Sequence, residues 1–141
     1  MRDIANGLDL KRAISPQAAR TDNTAIVSTI VDLRDYDGVM LAINIGANTD
    51  ANATFAVLIE DGAASDLSGG AAVADEYLTG TEALAGFAFD DDNELRKIGY
   101  TGTQRYLRAT ITPSGNDAGN IFVSAEWVLK PKRVPASNPP A

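Results

Sequence analysis

The feature that most restricts this chain is a period of two in its apolar residues. Val39, Leu41, Ile43 and Ile45 alternate with Met40, Ala42 and Asn44. Phe55, Val57 and Ile59 alternate with Thr54, Ala56, Leu58 and Glu60. Leu107, Ala109 and Ile111 do so against Tyr106, Arg108 and Thr110, and Ile121, Val123, Ala125, Trp127 and Leu129 share one phase near the end. Successive side chains of a strand point to opposite faces, so each run buries one face and leaves the other outward. No long stretch carries the 3.6-residue period of an amphipathic helix.

The punctuation fits short strands. Asp35-Tyr36-Asp37-Gly38, the small polar run 46–52, Asp61-Gly62, Asp90-Asp91-Asp92-Asn93, Thr101-Gly102-Thr103 and 113–119 read as turns. Thr24–Leu33 and Leu95–Tyr100 read as further strands, and residues 62–94 are least patterned. There Ala71–Tyr77 and Ala85–Phe89 read as short strands, and Thr81 starts one helical turn that Gly86 stops. The expected fold is all-β: an antiparallel β-sandwich, jelly-roll or Ig-like, or a barrel, of about six to eight strands. Residues 37–62 and the segment around Thr101-Gly102-Thr103 read as hairpins. Residues 1–23 lack a sustained period and read as an extended arm, residues 24–130 as the body, and residues 131–141, with four prolines, as an extended C-terminal tail.

Composition narrows the chemistry. With 141 residues, one domain with a single core is expected. The chain has no histidine and no cysteine, which leaves out the usual zinc ligands, the usual neutral-pH acid/base group, a Ser–His–Asp triad and a disulfide framework. No apolar run approaches the roughly 20 residues of a bilayer-spanning helix. Charged residues interrupt the first dozen positions where a signal peptide would be apolar. The reading is a soluble protein made in a cytoplasm, with no membrane partner.

Several clusters are candidates for chemistry. Asp90, Asp91, Asp92 and Glu94 offer oxygen donors, but consecutive aspartates lack the alternating spacing of a calcium loop, and a solvated turn is the better reading. Glu60, Glu76, Glu82 and Glu126 lie in no recognisable glycosidase pattern. Ser68-Gly69-Gly70 and Ser114-Gly115 lack a neighbouring base or phosphate-binding lysine. Tyr100, Arg105, Tyr106 and Arg108 interleave aromatics with arginine, yet the acidic body argues against nucleic acid. Trp127 reads as a core anchor whose indole N–H needs a partner. The expectation is a non-enzyme without metal or cofactor.

The net charge of −7 is uneven. Residues 1–20 balance at +2, residues 129–141 at +3, and the body between them at −12. Basic ends on an acidic body read as arms that dock on an acidic partner.

The segments MRDIANGLDLKRAISP, VDLRDYDGVMLAINIG, FAVLIEDG, RKIGYTGTQRYLRATIT and the final strand into PKRVP resemble small tailed-phage and prophage proteins found near the major capsid gene, a group that looks like head decoration, or cement, proteins. The resemblance spans nearly the whole chain. It implies a protein on the virion head exterior that stabilises the capsid without catalysis. Its implied partners are the major capsid protein and sister copies, a trimer being favoured over a dimer. On this reading Ile4, Leu8, Leu10 and Ile14 anchor the N-terminal arm and Arg2, Lys11 and Arg12 supply charge. Lys132, Arg133 and Val134 serve at the other end, and deletion of residues 1–14 leaves a folded body. A head–tail connector or tail component is the runner-up, and a carbohydrate- or cell-binding β-module the third reading.

Overall fold

A computed structural model describes residues 3–133; Arg2 and Val134 among the expected contacts, and most of the tail, lie outside the described residues. The fold is a β-sandwich with no closed barrel. One sheet has five strands in the order β1 (Asp9–Ile14), β11 (Ile121–Pro131), β4 (Tyr36–Asn48), β9 (Leu95–Tyr100), β7 (Leu78–Thr79). The other runs β2 (Ile26–Val27), β10 (Tyr106–Ser114), β5 (Thr54–Gly62), β6 (Ala71–Ala72), with β3 (Val31–Asp32) beside β10 and β8 (Phe87–Ala88) beside β5. All pairings are antiparallel. From β4 onward the long strands β4, β5, β9, β10 and β11 change sheet at each step, and the two sheet orders are those of the double Greek key of a jelly roll.

The runs expected as hairpins are therefore corrected. β4 pairs with β11 and β9, whereas β5 pairs with β10, so residues 37–62 cross from one sheet to the other. The turn after Tyr100 does the same between β9 and β10. An arch and a hairpin both aim one phase of each strand at the core, so alternation alone cannot separate them.

The core holds the expected phase. Leu41, Ile43, Ile45, Ile59, Leu107, Ile111, Ile121 and Leu129 are fully buried. Trp127 is buried, and its indole N–H donates to the Thr29 carbonyl at 3.3 Å. Phe55 and Phe87 stack with ring centroids 4.7 Å apart. The helical turn forms as α1 (Glu82–Ala85): the Thr81 hydroxyl accepts from the Leu84 N–H, and a Glu82 carboxylate oxygen accepts from the Ile59 N–H. Only Ala71–Ala72 of the stretch 71–77 is strand; Asp75–Tyr77 is a 3₁₀ turn.

The largest correction concerns the N-terminus. Residues 9–14 are the edge strand of the five-stranded sheet, not a free arm. Two features hide this strand from a periodicity reading. Asp9 and Lys11 lie opposite Leu129 and Trp127, so charged side chains occupy the core-facing phase. A bulge between Arg12 and Ile14 then breaks the alternation, and Ala13 and Ile14 are both buried. The Tyr36 hydroxyl donates to Asp9 at 2.7 Å, and the Lys11 ammonium sits 5.2 Å from the centre of the Tyr36 ring. Near the strand's end, the Thr29 N–H and hydroxyl donate to the carbonyls of Ala13 and Arg12. Ile14 is thus committed to the core and unavailable as a contact anchor.

Deleting residues 1–14 removes Ala13 and Ile14 from the core and exposes the edge of β11. The expected outcome is loss of at least about 2–5 kcal/mol of unfolding free energy, the range for removing one large aliphatic core side chain. Urea denaturation checks it, and a truncated chain with an unchanged midpoint would contradict this placement of β1.

Candidate binding surface

The outward face of the five-stranded sheet carries a row of aligned side chains. Leu10 pairs with Val128, Val128 with Met40, Met40 with Gly99, and Gly99 with Thr79. Residues directly opposite in antiparallel strands share a face, so this row crosses all five strands. Leu10 is 47% exposed, and Val128 and Met40 are half-buried. On one side runs Lys130 opposite Gly38; on the other, Arg12, Glu126, Ala42 and Lys97 in register. Leu95 and Phe122 are further exposed apolar side chains in the outward phase.

The row runs into a cleft of about 760 Å³. Gly38, Gly99 and Thr79 line it, with Tyr36, Tyr100 and Lys132 among the other walls. Its upper wall is the loop 101–105, which lies flat on Tyr100. A Cβ at Gly102 would sit 2.4 Å from the Tyr100 hydroxyl oxygen. That hydroxyl donates to Asp61 at 2.6 Å and accepts from the Gln104 N–H at 3.0 Å. Burial, then the hydrogen bond to Asp61, pushes the Tyr100 hydroxyl above its ordinary pKa. Burial and the bond to Asp9 push Tyr36 up to about 12. Both phenols stay protonated at neutral pH.

The cations divide into two groups. Arg105 forks onto Asp32 at 2.9 and 2.7 Å, Arg108 meets Glu60 at 2.8 Å, Arg96 joins Asp91 and Glu94, and Arg34 lies 3.6 Å from Asp35. The hydrogen bonds from Arg105 hold Asp32 down at about 2. Among the described residues, Arg12, Lys97 and Lys130 on the outward face form no ion pair.

The expected contact residues are scattered by this geometry. Leu10 and Arg12 lie on the outward face, where Arg12 donates to the Ser15 hydroxyl at 3.3 Å. Ile4 and Leu8 are exposed before the strand. Lys11 faces Tyr36, and Ile14 is buried. Lys132 lines the cleft and donates to the Arg34 carbonyl at 2.6 Å; Arg133 is exposed. Sequence reasoning missed Met40, Val128, Lys97 and Lys130. The available signal was that Met40 and Val128 put apolar side chains in the polar phase.

The other clusters serve the fold. Asp92 accepts from the Asn48 N–H at 2.9 Å and Asp91 from the Ala88 N–H at 2.8 Å, so the acidic turn ties strands together. Among the described residues, no group of Asp, Glu, His or Cys is placed to hold a metal ion. Nor is any helix among them long and apolar enough to cross a membrane.

No protein-family model matches this chain, and no curated protein matches it in sequence. Among solved structures it is similar in fold to the PBSX exported protein XepA, with a TM-score of 0.52 and 10% identity over 94% of this chain and 40% of XepA. The chain therefore spans well under half of XepA's length. The xylan-binding module CBM15 aligns at a TM-score of 0.41 and 14% identity over 91% of this chain and 93% of that one. The CBM22-1–GH10 modules of a Clostridium thermocellum xylanase align at 0.46 and 11% identity, over 95% of this chain and 28% of that one. At 10% identity the likeness to XepA is one of fold.

Two substitutions probe the loop over Tyr100 and the Arg105–Asp32 pair. Gly102→Ala forces the loop off Tyr100 and should cost about 1–3 kcal/mol, as overpacked sites do, read by thermal unfolding. Asp32→Asn tests the ion pair through pH. Asp32 is held below its ordinary 3.8, so its stabilisation is full above that value and is lost as pH falls toward about 2. The variant should melt a little below the parent near neutral pH and level with it at the acid end, the small size reflecting exposure to solvent.

Proposed function

We propose that this chain is a phage structural protein that decorates the head exterior and stabilises the shell, binding the major capsid protein and sister copies without catalysis. The observation that carries this reading is the outward face of the five-stranded sheet, where exposed Leu10 and half-buried Val128 and Met40 run in register between Arg12, Lys97 and Lys130, which form no ion pair among the described residues. Isolated exposed apolar residues are ordinary, but aligned ones flanked by unpaired charge fit an interaction surface. The sequence resemblance to small tailed-phage and prophage proteins is in keeping with this reading, and the fold is similar to that of the PBSX exported protein XepA.

The mechanism is mass action. A module that binds the assembled shell and not its dissociated subunits stabilises the shell in proportion to occupancy. Each contact needs only modest affinity, because a lattice repeats it and linked copies bind with increased avidity. A jelly-roll body suits the task because its edges are short or blocked while its faces stay open.

The test is co-sedimentation of the purified chain with heads that lack it. Binding should saturate in proportion to capsid subunits, and coated heads should withstand heat or chelator longer than bare ones. Occupancy matching one connector ring would instead make it a head–tail component, and no association with heads would overturn the reading.

A further inference from the structure

We infer that the outward face of the five-stranded sheet binds an extended, acidic segment of a partner protein, laid along the Leu10–Val128–Met40 row and into the cleft beyond Gly99. This deepens the decoration reading and rests on it for the partner's place, though not for its chemistry.

Length comes first. Five strands at a spacing of about 4.8 Å make the row about 19 Å long, the reach of about six extended residues. The row is narrow, one residue per strand, and it ends at a cleft whose lining includes Gly38 and Gly99. A single extended segment fits that shape, with the side chains of its sheet-facing side lying over Leu10, Val128 and Met40.

Charge selects the segment. Lys130 flanks the row on one side, and Arg12 and Lys97 on the other, with Glu126 the lone acid among them. The face carries a net positive charge on a protein whose net charge is −7. An acidic segment is repelled by the body at large and attracted here. At the cleft, Arg105 and Arg34 are neutralised by Asp32 and Asp35, and Asp37 and Lys132 offset each other, so the selection lies along the row.

Two other occupants fit less well. A second copy docked face to face would set Arg12, Lys97 and Lys130 against their own equivalents. Strand addition at the β1 edge would cover Asp9 and Lys11 and must displace the bonds from Thr29 to the Arg12 and Ala13 carbonyls.

The test uses isotope-labelled full chain and two blocked hexapeptides, one alternating glutamate with leucine and one alternating lysine with leucine. The glutamate peptide should shift the amides of Met40, Gly99 and Val128. The lysine peptide, and the Lys97→Glu/Lys130→Glu chain, should each bind about tenfold more weakly. Equal binding of both peptides, shifts confined to another surface, or no shift at millimolar peptide would overturn the inference. The same double variant added to bare heads separates this idea from the decoration reading. If it coats heads as well as the parent does, the face is wrong and decoration stands. If the parent binds the glutamate peptide yet ignores heads, decoration falls and the face stands.

Discussion

The pairing of β4 with β11 holds the molecule together. Leu41 lies opposite Trp127 and Ile43 opposite Ala125, so the centre of the core is set by one antiparallel ladder. β1 attaches to the far side of β11 and β9 to the far side of β4. The same ladder that buries Leu41, Ile43, Trp127 and Leu129 turns Met40 and Val128 outward together. Core and outward face are therefore two sides of one register, and a one-residue slip would exchange them.

The two ends of the sandwich are closed by polar side chains. At one end Tyr36 and Tyr100 reach Asp9 and Asp61, which satisfies each hydroxyl while the ring bodies pack inward. At the other end Asp50 accepts from the N–H groups of Asn52 and Ala118, and wholly buried Asn116 donates to the carbonyls of Arg20 and Asp22. Gly119 is required there, since a Cβ would fall 2.4 Å from the Asp50 nitrogen. These bonds fix the arches between sheets, because crossing backbone leaves groups that no ladder partner meets.

Much of the fold was legible in the residues. The phase of Leu107, Ala109 and Ile111, or of Ile121 through Leu129, is local information, and a half-buried strand needs nothing more. Sheet membership is not local: the run 46–52 reads as a turn whether it closes a hairpin or an arch, and β4 in fact continues to Asn48 with Gly46 packed beside Phe122. The edge strand was hidden by its own construction, charged residues inward and a bulge before Ile14. Of the candidate surface, Leu10 and Arg12 were legible as an apolar and a basic side chain in the N-terminal segment. Met40 and Lys97 were not, because they lie far apart in sequence and only the β4–β9 register brings their rows together.

The inward-facing Asp9 and Lys11 have a consequence for crowding. A neighbour that zipped onto β1 would seal half-buried Lys11 away from water beside the already buried Asp9, at a cost the new hydrogen bonds must first overcome. Copies packed side by side at high density can therefore touch without fusing their sheets into a ribbon. Such a molecule can be concentrated on a surface and still remain a set of separate, individually folded units.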